Sequence, residues 1–200
     1  MPKLILASKS PRRKEILSHL GLEFTTLVSD ADEETDLPSD PAALVETLAC
    51  RKANIILTHK DYTPGDLVIG ADTVVCYKGK ILTKPANREE AKKMLKMLSG
   101  HIHTVFSGIC ITNGNTSASA SVCTTVKMRK ISGEEIEAYV ETGEPLDKAG
   151  AYGIQDLDGI FVEYIKGDYY NVVGLPLETL ALLLDKHFNY KILEKTKYKR

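Results

Sequence analysis

The stretch that most limits what this 200-residue chain can fold into is Leu67-Val68-Ile69-Gly70-Ala71-Asp72-Thr73-Val74-Val75-Cys76. Its near-continuous apolar character predicts a strand in a central position, not one with a solvated face. Asp72 interrupts it. An unpaired buried charge costs several kcal/mol, so this carboxylate must be paired, metal-bound or catalytic. Lys78-Gly79 then predicts a hairpin turn into Ile81-Leu82-Thr83-Lys84-Pro85. Lys84 falls where that returning strand ends, which could aim it at Asp72 or at a phosphate. Taken alone it reads as a surface lysine.

A second stretch, Leu4-Ile5-Leu6-Ala7-Ser8-Lys9-Ser10-Pro11-Arg12-Arg13, reads as a buried strand followed by a helix start. Ser10 suits the N-cap and Pro11 the first helical position, where a missing N–H costs nothing. Arg12, Arg13 and Lys14 follow, the wrong charge for that place. A cation in the first turn costs about 0.3–1 kcal/mol unless something negative is bound. On that ground Arg13→Ala is expected to stabilise the empty protein slightly. Backbone N–H groups together with clustered cations make a phosphate cradle, and a solvated basic turn is the plain alternative.

The helix runs from about Pro11 to Leu20, Gly21 stops it, and Phe24 to Val28 reads as a strand. The acidic run Ser29 to Asp36 reads as a solvated loop, or as the source of one carboxylate for a hard cation beside the cradle. Asp40-Pro41 caps a helix to about His59 with an apolar stripe at Val45, Leu48, Ala49 and Ile56. Lys52 falls on that stripe, so it must snorkel or point at a buried anion. Asn87 and Glu90 make a capping pattern before the core stripe Ala91, Met94, Leu95 and Leu98. His101 and His103 would share a strand face. Without a third ligand nearby, ordinary hydrogen bonds are the reading favoured over a metal site. Val105 to Thr112 and Ser121 to Ile131 read as strands, Ser132 with Glu135 caps a short helix, and Gly159 to Ile165 reads as another strand. Gly150 and Gly153 in Asp147 to Gln155 suit close approach to a ligand, without matching a dinucleotide fingerprint or a P-loop. The last helix carries Leu177, Leu180, Ala181 and Leu184 on its core face, and Lys191 to Arg200, with five cations and one acid, reads as a frayed tail.

A net charge of −1 offers no global field for nucleic acid or membrane, so anion binding must be local. Cys50, Cys76, Cys110 and Cys123 form no C-x-x-C pair and read as buried free thiols in a reducing compartment. No signal peptide is recognisable, and no apolar run approaches the ~20 residues of a membrane span. The expected location is the cytoplasm.

Together, Leu6-Ala7-Ser8-Lys9-Ser10-Pro11-Arg12-Arg13, Gly70-Ala71-Asp72-Thr73-Val74-Val75, Lys84-Pro85, Lys148-Ala149-Gly150-Ala151-Tyr152-Gly153-Ile154-Gln155 and Tyr170-Asn171-Val172-Val173-Gly174-Leu175-Pro176 resemble the Maf family of nucleotide pyrophosphatases, in the family's order. The resemblance spans roughly Lys3 to His187. It implies one α/β domain over residues 1–200, elongated and two-lobed around a cleft, with a central mixed β-sheet flanked by helices and related to the inosine-triphosphate pyrophosphatases. Residues 189–200 would be a basic appendage. It further implies a homodimer and hydrolysis of a nucleoside triphosphate to monophosphate and pyrophosphate, which would keep unwanted nucleotides from being incorporated. The cofactor would be a divalent cation, Mg2+ or else Mn2+ or Co2+. Carried over by position, Asp72 is the proton acceptor. Ser8, Arg13, Lys52 and Lys84 are phosphate-side residues, and Glu33 with Asp72 would hold the metal. Arg12, Thr73 and Gln155 would choose the base.

The chemistry agrees with the residues. Cleaving between the α and β phosphorus atoms needs neutralised charge, in-line positioning and an activated water. An aspartate is a weak base at its ordinary pKa of about 3.9, so a polarised water or an altered environment must assist. Glutamine at 155 suits the donor and acceptor edge of uracil or thymine, giving dTTP or UTP as the expected substrate. A cationic 7-methylguanine would favour a carboxylate and an aromatic face instead. The alternatives are the same reaction on 7-methyl-GTP or another modified nucleotide, or a non-enzymatic nucleic-acid-binding or cell-division regulatory module. Asp72 and Thr73 point to opposite faces of a regular strand, so the strand is expected to end or bulge there if both reach one ligand.

Overall fold

The computed structural model describes residues 2–28, 31 and 34–197. Its centre is a seven-stranded mixed sheet with strand order β2-β1-β3-β5-β6-β7, and β4 pairs with β3. The strands are β1 (Leu4–Ala7), β2 (Phe24–Leu27), β3 (Leu67–Tyr77), β4 (Lys80–Leu82), β5 (Ile102–Thr112), β6 (Ser117–Met128) and β7 (Val162–Lys166). The helices are α1 (Pro11–His19), α2 (Pro41–Ile56), α3 (Arg88–Leu98), α4 (Gly133–Glu141), α5 (Tyr169–Val173), α6 (Leu177–Phe188) and α7 (Ile192–Lys195). This is the expected α/β class with a mixed sheet flanked by helices. The chain forms two compact units: residues 1–72, 107–122 and 174–200 make the first, and 73–106 and 123–173 the second.

In the first unit β1 runs parallel to both β2 and β3, and all four of its residues are buried, as an apolar strand with two neighbours should be. Asp40 caps α2, its carboxylate accepting from the Ala43 N–H at 2.9 Å, with Pro41 next. What fixes the depth of α2 is glycine. A Cβ at Gly70 of β3 would stand 2.1 Å from the Ala49 carbonyl oxygen, and one at Gly108 of β5 would stand 2.3 Å from that of Val45. The helix backbone therefore rests directly on the strands. Ile5, Ala7, Ala49, Ala53, Ile56, Val68 and Cys110 close the core there.

The second unit has its own core, in which the expected α3 stripe of Ala91, Met94, Leu95 and Leu98 packs with Val105, Val126, Tyr139, Tyr152 and Phe161. Asn87 caps α3 by accepting from the Glu90 N–H at 3.0 Å, while Glu90 reaches back to the Ala86 N–H. Ser132 and Glu135 form a reciprocal capping box on α4. The hairpin turn uses positive φ at both Lys78 and Gly79.

Three expectations need correcting. β3 neither ends nor breaks at Asp72 but continues to Tyr77. Along one edge its pairing passes from β1, up to Gly70, to β4, from Val75, so Asp72 lies where the partner changes. Residues 156–161 form a 3-10 helix, and only Val162–Lys166 is strand. As far as Lys197 the tail is docked, not frayed: the Lys197 N–H donates to the Gly21 carbonyl at 2.9 Å, the Thr196 hydroxyl bonds Leu20, and Lys197 pairs with Glu23.

Candidate active site

In the first unit the structure pairs Ser8 with Arg13 and Lys52 with Asp72, and Arg13 also bonds the backbone carbonyl of Ala71, the residue before Asp72. Lys52 leaves the sheet-facing side of α2 and its Nζ donates to Asp72 Oδ1 at 2.5 Å. The two side chains are 14% and 12% exposed. The buried anion required by a lysine on an apolar stripe is thus the protein's own carboxylate, and the acid required to be paired has its cation. Packing of α2 on Gly70 brings the two within reach.

Ser8, just past β1, is buried, and its hydroxyl oxygen accepts from the Ser10 N–H at 3.1 Å and from Arg13 Nη1 at 3.3 Å. With both lone pairs taken, the hydroxyl proton is left to donate elsewhere. Ser10 gives no side-chain cap to α1, and no acid stands in its first turn. The surroundings thus keep the character of an anion site. Arg13 does more than carry charge. Its Nε donates to the Gly174 carbonyl and its Nη1 to the Ala71 carbonyl, each at 2.8 Å. It braces α1 against the residue preceding Asp72 and against the segment leading into α6. Arg12 is half-buried one position earlier.

The remaining candidates lie in the second unit. Thr73 follows Asp72 on β3 and is half-buried. Lys84 is exposed beyond β4 and makes no hydrogen bond or ion pair among the described residues. Gln155 is half-buried, with extended backbone at the entry to the 3-10 helix of residues 156–161. Gly150 takes φ of 68° where a Cβ would meet the Val75 side chain at 2.9 Å, and its N–H bonds the Thr83 carbonyl at 3.1 Å. Gly150 thus makes a close approach to the protein's own Val75. Glu33 lies outside the described residues.

Two features escaped the sequence reading. The Tyr170–Pro176 motif had no assigned task. Its Asn171 is fully buried and donates to the Val105 carbonyl at 3.0 Å and to Thr124 Oγ1 at 2.9 Å, and its Gly174 supplies the carbonyl that anchors Arg13. His103, read as a strand-face histidine making ordinary hydrogen bonds, is sealed in: its Nε2 shares a 2.5 Å hydrogen bond with the Tyr152 hydroxyl. Burial drives its imidazole down to about 4 and pushes the Tyr152 phenol up. No local signal marked this, since His103 stands between Ile102 and Thr104 and its partner Tyr152 is remote in sequence.

No group of three or more His, Cys, Asp or Glu side chains converges on a metal position among the described residues. Asp72 nevertheless fits a magnesium-type ion. Its Oδ2 has no protein hydrogen bond among the described residues, and such an ion takes one or two carboxylate oxygens with the rest from phosphate and water.

A parallel β1 leading into an uncapped helix start, a lysine–aspartate pair on the central strand and the ordered motifs around them define the class, and the Maf-like protein family model matches residues 3–187. The chain belongs to that family. The dTTP/UTP pyrophosphatase of Alkaliphilus metalliredigens is 49% identical over 195 residues, covering 96% of this chain and 100% of the relative. Proteins of the same name from Symbiobacterium thermophilum and Thermococcus onnurineus are 47% and 49% identical. These alignments cover 96% and 92% of this chain and 97% and 98% of those relatives. The solved Staphylococcus aureus Ham1 protein aligns over 63% of this chain and 71% of its own, with a TM-score of 0.42 and 10% identity, too slight a likeness to bear on the fold.

Proposed function

We propose that this protein hydrolyses dTTP and UTP to the monophosphate and pyrophosphate, and so keeps such nucleotides from being incorporated where they are unwanted. The observation that carries the reading is the Lys52–Asp72 pair, a carboxylate held at one oxygen and, among the described residues, open at the other, together with a Ser8 hydroxyl that only accepts among them. The shared name of relatives at 47–49% identity over nearly the whole chain supports the choice of nucleotide.

In this reading Asp72 Oδ2 accepts the proton of the water that attacks the triphosphate. Lys52 orients the carboxylate through its bond to Oδ1, and its ammonium supplies positive charge for a phosphate oxygen. Ser8 donates its hydroxyl proton to another phosphate oxygen, with its rotor fixed by the two bonds it accepts. Arg13 sets Ser8 and adds positive charge, and Lys84 contributes charge on the leaving pyrophosphate. A divalent cation, magnesium or manganese or cobalt, would be held by Asp72 with Glu33, and would polarise the attacking water. Arg12, Thr73 and Gln155 read the base. The protein works in the cytoplasm as a homodimer.

The test is a panel of dTTP, UTP, CTP and 7-methyl-GTP with magnesium, scored for pyrophosphate against phosphate. Pyrophosphate release led by dTTP or UTP is expected, and release of phosphate alone refutes the reaction. The variant Arg12→Trp/Thr73→Gln/Gln155→Glu should shift the ratio of kcat/KM for UTP over 7-methyl-GTP by about tenfold or more, because mismatched polar groups are left unpaired. An unchanged ratio removes these three residues from base selection.

A further inference from the structure

The outward face of α2 borders an open groove of about 700 Å3 whose walls include Asp40, Glu46, Cys50, Arg51, Asn54 and Ser119. Cys50 is half-buried in that wall, and Cys110 of β5 lies fully buried behind it. The two cysteines stand far apart in sequence, and the packing of α2 on Gly108 brings them together. Cys50 packs against the apolar cluster that contains Cys110, the two thiols interact with each other, and Cys110 Sγ lies 3.6 Å from Ser117 Oγ. The Ser119 hydroxyl touches Cys50 and bonds the Glu46 carboxylate at 3.1 Å. The bond with Cys110 lowers the Cys50 thiol from its ordinary range and Ser119 adds to this, against burial and Glu46, which raise it. The bond to Cys50, with burial, raises Cys110. One thiol is therefore reachable from solvent and disposed to ionise, and the other is sheltered beside it as a proton donor. Neither takes part in the proposed hydrolysis.

We propose that Cys50 and Cys110 form a peroxide-responsive thiol pair, in which Cys50 is oxidised from the groove and Cys110 resolves it as a disulfide between α2 and β5. The Cys50 thiolate attacks one peroxide oxygen, the O–O bond breaks, and Cys50 becomes a sulfenic acid as hydroxide leaves. The Cys110 sulfur then attacks the Cys50 sulfur, forming the S–S bond, and its proton leaves with the sulfenic hydroxyl as water. Two thiols lose two electrons in all, and one hydrogen peroxide is reduced to two waters. Lys52 stands two residues beyond Cys50 on the same helix, so the disulfide would tie down the turn that holds the Asp72 partner.

The full-length protein treated with hydrogen peroxide, then denatured and titrated with a thiol reagent, tests this. Titratable thiols should fall from four to two, the intact mass should drop by two hydrogens, and digestion should yield a Cys50–Cys110 linked peptide that dithiothreitol releases. The melting temperature should rise by several degrees, because the link closes a long loop. Cys50→Ser should abolish the link, and Cys76→Ser/Cys123→Ser should leave it intact. Cys110→Ala should strand Cys50 as a sulfenic acid that dimedone traps. A thiol count that stays at four, a link to Cys76 or Cys123, or dimedone trapping at Cys50 in the unmutated protein would overturn the proposal. If Cys110→Ala fails to fold, the peptide map and Cys50→Ser still decide.

Discussion

The chain sets a polar residue into each of two strands and pairs it from another element, Asp72 with Lys52 of α2 and His103 with Tyr152, and the two pairs are finished differently. Lys52 and Asp72 carry opposite charges, keep 14% and 12% exposure, and leave Asp72 Oδ2 without a protein bond among the described residues. His103 and Tyr152 are neutral, keep 3% and 4% exposure, and have their rings edge to face at 5.2 Å. His103 Nδ1 has no protein partner among the described residues. A charged pair with a remaining acceptor and a path to water can do chemistry on a bound anion. A neutral pair closed off from water can hold a strand to the segment packed on it, and it resists gaining a proton. Burial alone does not separate function from scaffolding. Residual exposure and unused bonding capacity do.

The comparison can be broken most severely at Asp72. Asp72→Asn keeps the shape and an acceptor for Lys52 but cannot take a proton, so pyrophosphate release should fall at least about a hundredfold with the fold intact by circular dichroism. Near-normal turnover would make this pair scaffolding like the other.

Acid should sharpen the contrast from the other side. The folded His103 value of about 4 lies below the unfolded value of about 6.5, so the neutral imidazole favours the folded state. That stability is present in full above about pH 6.5 and is lost as pH falls towards about 4, amounting to about 3 kcal/mol at the acid end. Urea unfolding across that window should show the decline in wild type and a flatter profile in His103→Leu. An equally steep profile in the variant would place the acid sensitivity elsewhere.

Arg13→Ala has the smallest expected effect and reverses an expectation. Cations at a helix start argued for slight stabilisation on removal. The structure instead has this guanidinium on the Ala71 and Gly174 carbonyls, and losing those charged hydrogen bonds should cost about 2 kcal/mol. The melting temperature should drop and KM should rise. An unchanged melting temperature would return Arg13 to a purely electrostatic role.

Local signals were the legible part of this fold. Asp40-Pro41, Asn87, and Ser132 with Glu135 each announced a helix start through chemistry contained within four residues, and each stands in the structure. Asp72 and Lys52 were legible because each broke an apolar pattern that could not otherwise bear a charge. What escaped depended on partners remote in sequence. Nothing near Lys197 tells of Gly21, nothing near Arg13 tells of Gly174, and Cys50 gives no hint of Cys110. The change of partner along β3 was likewise invisible, because it is a property of β1 and β4 and not of Asp72.

The seating of α2 on Gly70 and Gly108 means that the reach of the Lys52 ammonium is set by backbone thickness, not by the lysine. A single methyl at residue 70, only 2.1 Å from the Ala49 oxygen, would lift the helix by about 1 Å or more before ordinary contact is restored. The charge would then withdraw from Asp72 although neither residue had changed. The two glycines act as a spacer gauge for the pair, so substitutions at positions with no chemistry of their own can switch that chemistry off.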